Sequence, residues 1–461
     1  MTEEYSANSA RQPAELSSIM RAVIRRIIPL LLICYIFSFM DRINVGFAQL
    51  QMKRDLEFSD AVYGLGAGLF FIGYFLFEVP SNMWLERIGA RKTMLRIMVL
   101  WGLTSAAMMF VKTPAQFYVL RVLLGVFEAG FFPGIMLYLT FWTPAGYRGR
   151  VNALFMSALV ATGMIAGPVS GFVLQAMDGL GGLHGWQWMF LLEGLPSCVL
   201  GVLLHWWLDD RPEDAKWLTP AEKRVLNEAV GSTRDNSHGT ASSYANARKA
   251  FTSPLVYLFS LVYFALLAGA NIITFWMPLT IRELGISSYL DVGLYSAVPY
   301  AIAWAAMILF GKSSDAYNEQ RWHIAAPAFA GIFALSLLPL AMQNFPLAMA
   351  LLIVATVGLF STFSPFWTLA TTRLSRAESA AGIAIITSVG NLAGFVSPFI
   401  IGMVRTHTGS MTGGIYLMGA IVVAGMIVLI LGTRHASRDV KLATLLPVAE
   451  SPRRVTESSQ Q

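Results

Sequence analysis

The chain has 461 residues, of which 56% are hydrophobic and 13% charged, with a mean hydropathy of +0.58. Soluble domains carry about 25% charged residues, so an ordinary soluble enzyme is excluded. The formal net charge of +6 accompanies apolar runs along the whole chain. It fits lysine and arginine at a lipid bilayer surface, and no nucleic-acid partner is expected.

Residues 1–26 hold Arg11, Arg21, Arg25 and Arg26 and no apolar core. They read as a polar tail and not as a cleavable signal peptide. A membrane-spanning helix needs about 20 mostly apolar residues, and twelve such stretches follow. The first six lie at about 27–50, 61–85, 93–112, 115–142, 148–175 and 187–208. The last six lie at about 254–280, 290–312, 322–343, 346–372, 378–405 and 412–433. Cys34 and Cys198 both fall inside apolar stretches, which argues against a disulfide framework. The expected fold is all-α: twelve transmembrane helices in two six-helix bundles. The organisation is a tail at 1–26, a bundle at 27–208, a polar interdomain loop at 209–250, a second bundle at 251–433 and a tail at 434–461. Of the 33 Lys and Arg, only Lys53, Arg54, Lys112, Arg282 and Arg405 fall on the loop side away from the termini, and Arg42 and Arg121 lie within helices. That bias predicts both termini and the interdomain loop on the cytoplasmic side.

The halves resemble each other. Gly163, Gly167 and Gly171 match Gly390, Gly394 and Pro398 at an offset of 227; Asn82 to Glu86 match Gly311 to Asp315 at 229; Tyr35 matches Tyr263 at 228. Three matches at nearly one offset point to a duplicated six-helix unit, an architecture of transporters with a central site.

Charge within the bilayer costs about 2.5–3.5 kcal/mol per residue on insertion scales, so each such residue needs a partner, a watery cavity or a function. They fall mostly in the first half: Asp41, Arg42, Glu78, Arg121, Glu128 and Glu193. At about 1.5 Å per residue, Asp41 and Arg42 rise roughly 21 Å from the cytoplasmic entry of helix 1. Arg121, descending in helix 4, reaches the same depth. Glu128 lies two turns further along the same face, roughly 10 Å nearer the cytoplasm. Two arginines at one level can bind a carboxylate, and two buried carboxylates can bind and release a proton. The alternative is a set of structural ion pairs holding helices 1 and 4 together. Glu78 reads as structural or gating, and Glu193 as an interfacial or helix-packing contact. The second half offers neutral groups instead, among them Asn271, Trp276, Ser364, Trp367, Thr368 and Asn391, which suit hydroxyl recognition or ordinary packing. Gly311-Lys312-Ser313 lacks the leading glycine of a phosphate-binding loop, since residue 306 is Ala. The six histidines show no paired metal spacing, so no metal, cofactor or ATP drive is expected.

Several motifs now converge on a family. Asn82-x3-Glu86-Arg87-x-Gly89-x-Arg91-Lys92 resembles the loop 2–3 signature of the major facilitator superfamily, with Asn and Glu replacing its leading Gly and Asp. Arg121-x3-Gly125 resembles the helix 4 signature. The stretches around Asp41-Arg42-Ile43-Asn44, Glu78-Val79-Pro80-Ser81-Asn82 and Gly185-Trp186 to Glu193-Gly194 resemble the anion:cation symporters, and among them bacterial permeases for tartrate, galactonate and 4-hydroxyphenylacetate. The resemblance implies alternating access in a bacterial inner membrane. It implies that Arg42 and Arg121 bind the substrate carboxylate, that Asp41 and Glu128 couple to protons, and that Tyr74 and Asn391 contact the substrate. Trp367, Ser364 and Thr368 would join that wall. Glu86, Arg87, Arg91 and Asp315 would belong to the gating loops. The helix 5 glycines Gly163, Gly167 and Gly171 also resemble a motif of antiporters.

The expected function is proton-coupled uptake of a small organic anion by a monomer. The alternatives are antiport or sodium coupling on the same fold, or an anion sensor that does not transport. A membrane-embedded enzyme would need a catalytic constellation on one face, and the sequence offers none.

Overall fold

A computed structural model describes residues 2–234, 249–374 and 376–433. Among the described residues, sixteen longer α-helices carry the architecture. In the first half they are α1 (Thr2–Asp55), α2 (Asp60–Ile88), α3 (Ala90–Ala107), α4 (Pro114–Glu128), α5 (Phe131–Trp142), α6 (Ala145–Ala176), α7 (Gly185–Trp207) and α8 (Pro220–Arg234). In the second half they are α9 (Pro254–Glu283), α10 (Tyr289–Ala316), α11 (Arg321–Ala341), α12 (Phe345–Phe360), α13 (Phe363–Arg373), α14 (Arg376–Asn391), α15 (Ala393–Thr408) and α16 (Thr412–Gly432). Eleven spans, counting α4–α5, α12–α13 and α14–α15 as single broken rods, are long and apolar enough to cross a membrane. The 32-residue α6, packed on α1 and on α10, completes the twelve.

The first bundle packs α3 along α7, α2 along α4, and α1 along α6 and α7. The second packs α11 along α12, and α9 along α14 and α16. The fourth rod of each bundle is broken at a matching place. In the first half the chain turns through Ala129 and a left-handed Gly130; in the second, α12 ends before Ser361 and α13 begins at Phe363. The duplicated tyrosines pack on the restarted helices. Tyr35 lies 5.6 Å from the Phe132 ring and Tyr263 lies 6.2 Å from the Phe363 ring.

Two segments differ from the sequence expectation. The polar tail is continuous with α1, and Ile19, Met20 and Val23 are buried in the core. Residues 19, 20, 23, 27 and 28 share one helix face, so the apolar stripe starts before the fully apolar run does. The interdomain segment is partly folded. α8 opens with a capping box in which Thr219 and Glu222 each accept a hydrogen bond from the other's backbone N–H, and it buries Leu226 and Val230. Trp217 stacks on Trp142 with centroids 5.8 Å apart, and the Arg26 guanidinium lies over Trp207 and Trp217. Residues 235–248 and 434–461 lie outside the described residues.

The bundles meet along α2–α15, α6–α10 and α1–α9. Their hydrogen bonds gather at the end that carries the connections 56–59 and 284–288. Gln49 and Tyr63 both donate to the Phe275 carbonyl, Ala61 N–H donates to Thr406 Oγ1, and Ser288 Oγ donates to Gln175. Arg405 pairs with Asp60 and Glu283, and Lys53 with Asp60. Glycines allow the backbones to touch. A Cβ on Gly293 would lie 2.1 Å from the Gly167 carbonyl oxygen, and one on Gly64 would lie 2.3 Å from that of Pro398. No side chain fits at either crossing. Gly64 and Gly293 are 229 positions apart and their partners Pro398 and Gly167 are 231 apart, so the two contacts are related by the repeat, with α6 and α15 aligned four residues away from the 227 offset of their glycine match.

Candidate functional site

The fourth rod brings the first charged group into place. Gly125 sits against the Phe70 backbone, where a Cβ would lie 2.0 Å from its carbonyl oxygen. With α4 this close to α2, Arg121 one turn earlier reaches the α2 carbonyls. Its Nε donates to Gly66 O and its Nη2 to Ala67 O, both at 3.2 Å. Arg121 is 0% exposed, and its Nη1 has no hydrogen-bond partner. Arg42 is the cation that solvent reaches, at 16% side-chain exposure. Its Nε donates to Glu128 Oε1 at 2.7 Å, and the same oxygen accepts from Ser38 Oγ at 2.7 Å. The two guanidiniums share the Phe70 ring, at 5.3 Å and 5.1 Å from its centroid. Arg42 also lies 4.8 Å over the buried Tyr74 ring, a cation–π arrangement.

Arg42 and Arg121 are therefore brought together against the ring of one phenylalanine. Only Arg42 is accessible in this conformation. From helix rise Glu128 is expected roughly 10 Å nearer the cytoplasm; its Oε1 lies 2.7 Å from the Arg42 guanidinium. The ion-pair alternative is thus realised between α1 and α4 for Arg42 and Glu128. Glu128 is 0% exposed and its Oε2 has no hydrogen-bond partner.

Asp41 faces the other way, into its own bundle. It accepts from Asn44 Nδ2 at 3.1 Å, from Ser105 Oγ at 2.7 Å and from Trp101 Nε1. Adjacent residues on a helix point about 100° apart, so Asp41 cannot share the Arg42 face. Glu193 on α7 is also buried, with Oε1 accepting from Ser170 Oγ at 2.8 Å. It is a buried contact between helices and not an interfacial one. Glu78 is half-buried, facing Ser388 of the second bundle and the charge of Arg42.

The remaining candidates lie elsewhere. Trp367 of α13 packs 5.1 Å from the Tyr263 ring of α9; Ser364 is exposed and faces Gly311, and the Thr368 hydroxyl donates to the Ser364 carbonyl. Asn391 is half-buried where α14 gives way to α15. Among the described residues, no hydrogen bond joins these four to Arg42 or Glu128. Trp276 is buried edge-on against Tyr63, 5.3 Å away. In the loop motif, Arg91 ties α3 to the end of α7, with its N–H on Asp210 and its Nε on the His205 carbonyl. Arg87 lines an apolar cleft of about 440 Å³ with Trp84, Arg96 and Phe127. Asp315 is exposed, and the Glu86 side chain lies outside the described residues. Sequence reasoning missed Ser38, Phe70, Trp101 and Ser105. A serine one turn before Arg42 was the available signal for Ser38; nothing in the sequence marked the other three.

Comparison with known proteins extends the geometry. The family model described as "Major Facilitator Superfamily" matches residues 31–398. The chain is 43% identical over 430 residues to a "Putative tartrate transporter" of Agrobacterium vitis, covering 92% of this chain and 94% of that one. It is 40% identical over 411 residues to a "Quinolone resistance transporter" of Acinetobacter baumannii, covering 89% and 93%. The solved structure of a bacterial homologue of the human lysosomal transporter Spinster, inward-facing and unoccupied, superposes with a TM-score of 0.74 at 17% identity, covering 92% and 98%.

Proposed function

Since the chain belongs to the major facilitator superfamily and is a multi-pass membrane transporter, we propose that it takes up a small organic anion together with protons. The observation that carries this reading is the Arg42–Glu128 pair. It is a solvent-reached guanidinium held by a fully buried carboxylate.

An incoming carboxylate competes with Glu128 for Arg42. If the substrate takes the guanidinium, Glu128 becomes an ionised group without a cation in a low-dielectric interior, a state that costs several kcal/mol. A proton on Glu128 removes that cost. Anion binding and proton binding then favour each other, which is the thermodynamic requirement for symport. Arg121 contributes positive charge from behind Phe70, and Tyr74 supports the Arg42 guanidinium. On this reading Asn391, Trp367, Ser364 and Thr368 of the second half supply the neutral partners of the substrate, and the two hydroxyls suit a hydroxy acid. The tartrate transporter likeness favours that substrate class. With both termini placed in the cytoplasm by the charge bias, the sealed end is external and the conformation is inward-facing.

Uptake of labelled tartrate and a panel of sugar acids and aromatic acids into proteoliposomes tests this, with and without an inwardly directed proton gradient. Accumulation that needs the gradient supports symport. Tight binding without any flux would instead make the protein a sensor. A second reading, export by antiport, is favoured by the likeness to a quinolone resistance transporter; it predicts that the same gradient drives substrate out.

A further inference from the structure

The cleft that Arg87 lines has no part in the Arg42–Glu128 site. It lies among α2, α3 and α4, at the end of the first bundle opposite the sealed one, and its volume is about 440 Å³. All of its lining residues come from the first bundle. Clefts of about 300–1,000 Å³ commonly hold one small ligand. Its walls are of two kinds. Phe77, Met83 and Trp84 of α2 are large, apolar and 45%, 53% and 55% exposed. Leu100 of α3 and Phe127 of α4 continue that surface inwards. Against them stand two cations, Arg87 in the last turn of α2 and Arg96 of α3.

Arg96 is held in place without being neutralised. Its Nη2 donates to Ser81 Oγ at 3.2 Å, and its guanidinium carbon lies 4.3 Å from the centroid of the Trp84 ring. A hydroxyl and an indole ring orient the fork and leave its charge unmatched. None of the described lining residues is acidic, and among the described residues neither Arg87 nor Arg96 forms a salt bridge. Lys92 is exposed one turn before Arg96 on the same helix face and adds a third positive charge.

The two kinds of wall need different partners. A water-soluble anion would match the arginines and leave the exposed aromatic and methionine surface wet. A hydrocarbon chain alone would cover that surface and leave the arginines unpaired, which is costly beside apolar walls. A ligand with an anionic head and an acyl tail satisfies both. The depth fits as well. Arg96 lies about 9 Å along α3 from its start at Ala90. Arg87 and Lys92 lie nearer the helix ends, so the charges fall where a bilayer's core gives way to its headgroups. Basic pockets between membrane helices recognise anionic headgroups in this way. We propose that the cleft binds one anionic glycerophospholipid from the leaflet on the side of the chain termini, with its phosphate on Arg96 and Arg87 and one acyl chain along Leu100 and Phe127. The site is independent of what the protein carries and of the coupling ion. It adjoins the Arg42–Glu128 pair at one place, because Val126 and Phe127 immediately precede Glu128. A Cβ on Gly130, where the fourth rod breaks, would lie 2.5 Å from Ser81 Oγ, the group that holds Arg96.

Native mass spectrometry of the full-length protein in detergent tests this, with phosphatidylglycerol and phosphatidylcholine of the same acyl chains added in turn. The wild type should retain phosphatidylglycerol in preference to phosphatidylcholine. Arg96→Gln should weaken that binding roughly fivefold, the effect of removing one basic group that faces anionic lipid. Arg25→Gln removes an exposed cation of α1 outside the cleft and should leave the binding unchanged. Leu100→Trp keeps every charge and fills the acyl-chain wall, so it should also release the lipid. Should Arg96→Gln fail to reach the membrane, Leu100→Trp decides alone. Equal retention of the two lipids by the wild type would overturn the proposal, as would undiminished phosphatidylglycerol binding in Arg96→Gln or in Leu100→Trp. Displacement of the lipid by inorganic phosphate would make the cleft a free-anion site and overturn it too. An equal loss in Arg25→Gln would reveal non-specific attraction to a basic surface, with the same consequence.

Discussion

At the scale of single residues, Arg42 is the group on which the proposed chemistry turns. Arg42→Ala leaves Glu128 buried and unpaired, a loss of about 3–5 kcal/mol if the carboxylate stays charged. Substrate binding measured by calorimetry should then vanish. Arg42→Lys keeps the charge and loses the planar fork, so affinity should fall while some exchange remains. Undiminished affinity in Arg42→Ala would rule out the anion assignment. Ser38→Ala removes one of two hydrogen bonds to Glu128 Oε1. Bonds to charged groups are worth about 1.5–3 kcal/mol, so the pH profile of uptake should move while maximal counterflow holds. The sequence named Arg42, Glu128 and Asp41 because charge in a bilayer is rare enough to be noticed. It did not name Ser38, Phe70 or Trp101, since serines and aromatics are ordinary in membrane helices and carry no cost that singles them out.

At the scale of helices, the glycine crossings are the strongest constraint. Gly293→Val cannot be housed against the Gly167 backbone without moving α10 away from α6. The external end should then fail to seal. We expect loss of accumulation, with a cysteine introduced at the buried Val292 (V292C) newly reached by thiol-reactive probes added from outside. Wild-type transport in that variant would show that the crossing is not needed in the cycle. The helix pattern itself was legible, since runs of about 20 apolar residues announce spans. The start of α1 and the helix α8 were not, because their apolar residues form stripes interleaved with charge. A stripe becomes a buried face only once there is something to pack against.

At the scale of the whole molecule, the proposed transport has the two bundles rocking about the site. On that proposal the contacts at the sealed end must break for the site to open outward. Gln175→Cys with Ser288→Cys places two thiols where a hydrogen bond now joins α6 to the approach of α10. Oxidative cross-linking should arrest flux, and dithiothreitol should restore it. Transport at the normal rate in the cross-linked protein would contradict alternating access through this end. The duplication reappears as paired crossings, Gly64 on Pro398 and Gly293 on Gly167, related by offsets of 229 and 231. The repeat is thus a property of the interface as well as of the chain.

The sequence by itself determined the class of protein, the twelve spans and the small set of charges that fall within them. These depend on hydrophobicity and on distance along a helix, which are local quantities. Only the tertiary structure decided which charge meets which. It turned Asp41 towards α3 and Arg42 towards α4, closed Arg42 onto Glu128 and buried Arg121 against α2. The physical reason is that a side chain's direction depends on helix rotation and on neighbours far away in the chain. A difference of about 100° between adjacent residues separates a group that solvent reaches from one sealed inside the bundle.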